Sequence, residues 1–254
     1  MIRRAAALLA LALLALQGPA AGAATRPFAN WAAVVVSGDF HAAHTNNPTE
    51  TFDNARRDVG AELVRKGFTA SNLREFSVRP ELYPQQKLGK ADVEPIYEGL
   101  KAAAAQATGG CLVYFSSHGA PQGVVVDGGL LAPQVMDQMI TDACGKRPTI
   151  VIISACFSGV FVPALADNNR MILTAARPDR SSFGCSEADK YPYFDACMLE
   201  AMGQAHDFVA LGPAVQACVA RRELETGMRP PSEPQFFVGA GLRPILPLMA
   251  FAPG

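Results

Sequence analysis

Thr149-Ile150-Val151-Ile152-Ile153-Ser154-Ala155-Cys156-Phe157-Ser158-Gly159 is the stretch on which the reading of the fold turns. It opens as a short, continuous apolar run and closes on turn-forming residues, the pattern of a strand buried on both faces of a parallel sheet. Upstream, Cys111-Leu112-Val113-Tyr114 repeats the pattern and runs into Phe115-Ser116-Ser117-His118-Gly119. Open α/β sheets present their chemistry at the carboxyl ends of the strands. A histidine at one such end and a cysteine at another, each with glycine close behind, is the layout of a thiol nucleophile and its base. The two lie 38 residues apart, room for one hairpin and one crossover helix, which places them on neighbouring parallel strands.

Working outward, strands and helices alternate. Trp31 to Val36 reads as a first buried strand ended by Ser37-Gly38-Asp39, and His41 to Glu50 as a loop. Phe52 to Lys66 has helical spacing, with Phe52, Ala55, Val59 and Leu63 apolar and Asn54, Arg56, Arg57, Asp58 and Glu62 polar; Gly67 stops it. Asn72 to Val78 is a short strand and Asp92 to Ala107 a helix. After His118, Gly119 to Gly129 suggests a hairpin, and Leu131 to Cys144 the crossover helix. Beyond Cys156 follow a short helix from Phe161 to Ala166 and a strand from Met171 to Ala175. Two helices, Tyr193 to Gln204 and Val209 to Leu224, precede a last strand at Pro234 to Gly239. The expectation is an α/β fold, a mostly parallel six-stranded sheet with helices on both faces. Residues 24–254 read as a single domain.

The amino terminus differs in character. Arg3 and Arg4 precede an unbroken apolar run of 12 residues, Ala5 to Leu16, and then Pro19 and Ala21-Gly22-Ala23. That is a signal peptide over residues 1–23, too short to span a bilayer. The expectation is export to a periplasm or beyond, with no membrane contact after cleavage. Removing the segment takes the net charge from −1 to −3, so nothing points to a nucleic-acid partner. Six cysteines in an exported chain suggest disulfides. Cys156 has to stay reduced as a nucleophile, and Cys111 reads as a small buried thiol within a strand. Cys144, Cys185, Cys197 and Cys218 are left for two bridges at most, with the pairing open.

A thiol is mostly protonated at neutral pH, so a catalytic Cys156 needs help. The turn at Phe157-Ser158-Gly159 sets the sulfur near oriented backbone N–H groups. His118 is placed to protonate a leaving amine and then to activate water. An oxyanion needs two donors, and Gly119 permits a close backbone approach, so the N–H groups of Gly119 and Cys156 are the candidates. His41 and His44 have metal-ligand spacing but sit in a loop without neighbouring carboxylates, so no metal is expected. Thiol chemistry of this kind needs no cofactor, and its partner is a peptide or protein substrate.

Ser117-His118-Gly119 and Ser154-Ala155-Cys156-Phe157-Ser158-Gly159 resemble the motifs of caspase-like cysteine peptidases, and most of all those of the legumain family. Ile172 to Cys185 resembles the strand and loop after the nucleophile in that family, and the likeness runs from about Trp31 to Gly239. The resemblance implies a caspase-like three-layer sandwich, with His118 and Cys156 as the catalytic dyad of an endopeptidase. Two departures stand out. No arginine occurs between Ser37 and Ala55, where that family places one in its specificity pocket, and Phe157 replaces an acidic residue. Asp195, in Tyr193-Phe194-Asp195, is the candidate for a substrate-binding carboxylate, and Asn46 or Asn47 for orienting the histidine. A transpeptidase or transamidase using the same dyad, or a non-catalytic binding module, are the alternative readings.

Overall fold

The computed structural model describes residues 26–252, so the signal-peptide segment lies outside the described residues. In chain order its first half comprises β1 (Trp31–Ser37), α1 (Thr51–Arg65), β2 (Leu73–Ser77), β3 (Gly89–Lys90), α2 (Val93–Gln106) and β4 (Gly110–Ser116). Then come β5 (Gly119–Ala120), β6 (Gly123–Val126), β7 (Gly129–Leu131), α3 (Pro133–Cys144) and β8 (Thr149–Ser154). The last part holds α4 (Phe161–Leu165), β9 (Arg170–Thr174), α5 (Tyr193–Met202), α6 (Phe208–Thr226) and β10 (Gln235–Val238).

The main sheet runs β10-β9-β8-β4-β1-β2-β3, parallel except for β10, which pairs antiparallel with β9. It has seven strands rather than the six expected. The extra one is β3, two residues at the edge, too short to show any apolar run. The excursion after His118 is a separate three-stranded sheet, β5-β6-β7, instead of a single hairpin.

Central strands are buried on both faces, which is why their sequences are continuously apolar. Trp31, Ala33 and Val35 of β1 join one core cluster and Ala32, Val34 and Val36 the other. The first cluster is completed by Val59 and Leu63 of α1 with Phe194, Met198 and Leu211 of α5 and α6. The second is completed by Ile96 and Leu100 of α2, Met136 and Ile140 of α3, and Phe161 of α4. Helices thus cover each face, a three-layer sandwich, and each such aliphatic side chain taken from water contributes about 1.5–3 kcal/mol.

Local signals explain the helix limits. Asp207 caps α6 by accepting from the Ala210 N–H, and Gly227, at φ 71°, ends it in the left-handed region. Pro213 sits inside α6 without ending it. The carbonyl it leaves unpaired belongs to half-buried Val209, within reach of solvent.

Arg56 departs most from its expected place on a polar face. It is fully buried, bonded to Asp53 at 3.1 Å, Glu75 at 2.8 Å and Gln86 at 3.0 Å. Asp53 also accepts from Ser77 Oγ, so this network stitches α1 to β2.

The cysteines correct another expectation. Cys111 is bridged to Cys144, tying β4 to the end of α3, with Cα atoms 6.2 Å apart. Cys197 is bridged to Cys218, tying α5 to α6. A strand cysteine facing a helix terminus has a partner that strand burial alone does not reveal. Cys156 and Cys185 are the unpaired thiols.

Candidate active site

The register of β4 and β8 builds the site. Ser116 lies opposite Ser154, so His118 and Cys156, each two residues further on, leave adjacent parallel strands at equal height. Neighbouring strands are about 4.8 Å apart. The contact continues past the ladder, where Ser117 N–H donates to the Ser154 carbonyl at 3.0 Å. A Cβ on Gly119 would stand 2.2 Å from the Cys156 carbonyl oxygen, so only glycine lets the two backbones meet.

His118 is half-buried and its ring packs edge-on against Phe52 of α1, with centroids 5.0 Å apart. Its Nε2 is 2.9 Å from the His41 carbonyl. A carbonyl only accepts, so Nε2 carries a proton, and Nδ1 is left to exchange one with a reacting group. Asp39 shapes the turn that presents this carbonyl. Its Oδ1 accepts from Phe40 N–H at 2.6 Å and His41 N–H at 3.1 Å, and pairs with His41 Nδ1 at 2.7 Å. The orienting group is therefore the His41 backbone rather than Asn46 or Asn47; Asn47 instead donates to Glu187.

Cys156 is half-buried at the end of β8. Phe157, at φ 58°, turns the chain in the left-handed region and leads into a short 3-10 turn at Ser158–Val160. Phe157 N–H donates to the Arg180 carbonyl, which draws the 175–192 loop over the sulfur. Ser182 N–H then donates to Cys156 Sγ at 3.3 Å.

A cavity of about 320 Å³ is lined by Ala43, His44, Ser182, Gly184, Asp189 and Met228 among others; Ser182 joins it to the sulfur, and neither Cys156 nor His118 lines it. A larger hollow of about 480 Å³ lies along β2, lined by Arg57, Arg74 and Lys87 and by neither cysteine nor histidine. Cys185 also borders the Ser182 cavity but is 8 % exposed, and burial pushes its thiol well above the ordinary range.

Asp195 does not reach this cavity as the sequence suggested. Tyr193, two residues earlier on α5, lines it, while Asp195 turns inward under the ends of β4 and β8. Its carboxylate accepts from Tyr114 Oη at 2.7 Å, Ser116 Oγ at 2.8 Å and Ser154 Oγ at 2.8 Å, and is 0 % exposed. Burial raises its carboxyl to about 6, against the downward pull of the three hydroxyls.

Neither the His41 carbonyl nor the Ser182 N–H was named from sequence. Both are backbone groups, so side-chain identity gave no signal; the pairing of β1 with β4 does put the 38–50 loop beside His118. Among the described residues no group of three or more His, Cys, Asp or Glu side chains is arranged to hold a metal ion.

A model of the Peptidase C13 family matches residues 29–213. No curated protein matches the chain significantly. Among solved structures, caspase-1 from Spodoptera frugiperda is similar, with a TM-score of 0.58 and 15 % identity over 83 % of this chain and 87 % of that one. At that identity the likeness shows the fold alone, and the fold is caspase-like.

Proposed function

The chain belongs to the Peptidase C13 family, the legumain family of cysteine peptidases, and from that premise we propose that it is an exported cysteine-type endopeptidase acting through Cys156 and His118. The observation that carries the reading is the matched register of β4 and β8, with His118 fixed by the His41 carbonyl. In the proposed reaction His118 Nδ1 takes the Cys156 thiol proton as the sulfur adds to the scissile carbonyl, and the N–H groups of Gly119 and Cys156 receive the negative oxygen. The C–N bond breaks as His118 Nδ1 passes its proton to the leaving amine, leaving a thioester on Cys156. His118 then takes a proton from water, the resulting hydroxide displaces the sulfur, and the acid product leaves. An amine in place of water would give transpeptidation from the same thioester. Added amine nucleophiles and product analysis separate the two outcomes. The bridges Cys111–Cys144 and Cys197–Cys218 support export to an oxidising compartment.

Cys156→Ala tests the proposal. Hydrolysis of a peptide library scanned over the acyl-side residue should vanish while far-UV circular dichroism and thermal unfolding stay unchanged. Turnover persisting in that variant would exclude Cys156 as the nucleophile.

A further inference from the structure

Asp195 is a fully buried carboxylate that the proposed reaction leaves unused. Its carboxylate sits beneath the two catalytic strand ends and is shut off from solvent. Two of its three donors are Ser116 and Ser154, the partners in the last rung of the β4–β8 ladder, each two residues before a reacting side chain. Both bonds end on the same oxygen, Oδ2, so one atom holds both strand ends. Tyr114 on Oδ1 aligns the carboxylate from two rungs further back. The helix that carries Asp195 is itself anchored to α6 by Cys197–Cys218, so the clamp is mounted on a rigid layer. A buried ionisable group is unfavourable for the fold unless something else retains it, and perturbed groups of this kind gather at functional sites.

We propose that Asp195 is a positioning residue whose carboxylate, gripping Ser116 and Ser154, sets the relative height of the His118 imidazole and the Cys156 sulfur. The assignment rests on the peptidase reading above and deepens it. Asp195 touches neither substrate nor sulfur; it acts through the two serines. Slippage of one strand end against the other by about 1 Å is enough to lower a reaction rate by two orders of magnitude.

The test reads the pair directly. Iodoacetamide alkylation of Cys156, followed by mass spectrometry across pH 4 to 9, reports the reactivity of the sulfur beside His118, with no need of a known substrate. In Asp195→Asn, alkylation at pH 6 should fall by about tenfold and its pH profile should move up toward that of a free thiol. Ser116→Ala and Ser154→Ala should each move the profile part of the way, and the double variant should match Asp195→Asn. A purely structural aspartate would change the unfolding temperature without moving this profile. Unchanged profiles in Asp195→Asn, or in both serine variants should Asp195→Asn fail to fold, overturn the proposal. Failure of the peptidase reading looks different, because the wild-type Cys156 would then react no faster than a free thiol.

Discussion

Replacing Asp195 by asparagine should change how stability depends on pH, and the structure supplies both sign and size. The carboxyl titrates at about 6 in the folded protein against 3.8 for an ordinary aspartate, with burial the dominant cause. Folded protein therefore holds this proton more tightly than unfolded chain does. The stabilisation is complete below about pH 4 and is lost as pH rises through 6. A rise of roughly two pH units, at about 1.36 kcal/mol for each, gives ~3 kcal/mol. Tyr114 and Cys185, the other titrating groups facing the carboxylate, are both held above their ordinary ranges and stay neutral throughout that window. Asparagine keeps the shape and removes the titration, so the difference between variant and wild type isolates the group. Urea unfolding followed by circular dichroism at pH 4, 5, 6 and 7 should show the variant gaining ~3 kcal/mol on wild type between the two ends. For a domain of this size that corresponds to about 6–12 °C in unfolding temperature. A flat difference, or one of opposite slope, would mean that three hydroxyls outweigh burial, and the reasoning would be wrong.

Two more predictions follow from contacts already described. Gly119→Ala forces a methyl group against the Cys156 carbonyl and should destabilise by about 1–3 kcal/mol while lowering Cys156 alkylation, both measurable on the purified variant. Opening the Cys111–Cys144 or the Cys197–Cys218 bridge by paired serine substitution releases loops of 33 or 21 residues, and each should cost about 3–4 kcal/mol in urea unfolding.

Much of this architecture is written in residue patterns that depend on burial. The apolar runs ending at Ser116 and Ser154 announce central parallel strands because both of their faces are covered, and the same runs locate His118 and Cys156. What lies at the margins is less legible. Two-residue β3 carries no periodicity, and the buried Arg56 looks polar until the loop bearing Gln86 closes over it. Asp195 shows the deeper difficulty. Its chemistry marks it for function, but whether a carboxylate faces a cavity or the strand ends beneath is decided by the rotation of α5, which no local pattern encodes. The His41 carbonyl and the Ser182 N–H are common to any residue at those positions, so only coordinates single them out.

Both bridges are local, one joining β4 to α3 and the other α5 to α6, and neither spans the 175–192 loop that carries Ser182. A chain nicked in that loop would migrate as two polypeptides on a denaturing gel with or without reductant. A nick between α5 and α6, inside the Cys197–Cys218 ring, would separate only once thiol is added. Electrophoresis in the two conditions therefore tells which side of α5 a cut falls on, and so whether the sulfur's own covering loop has been severed.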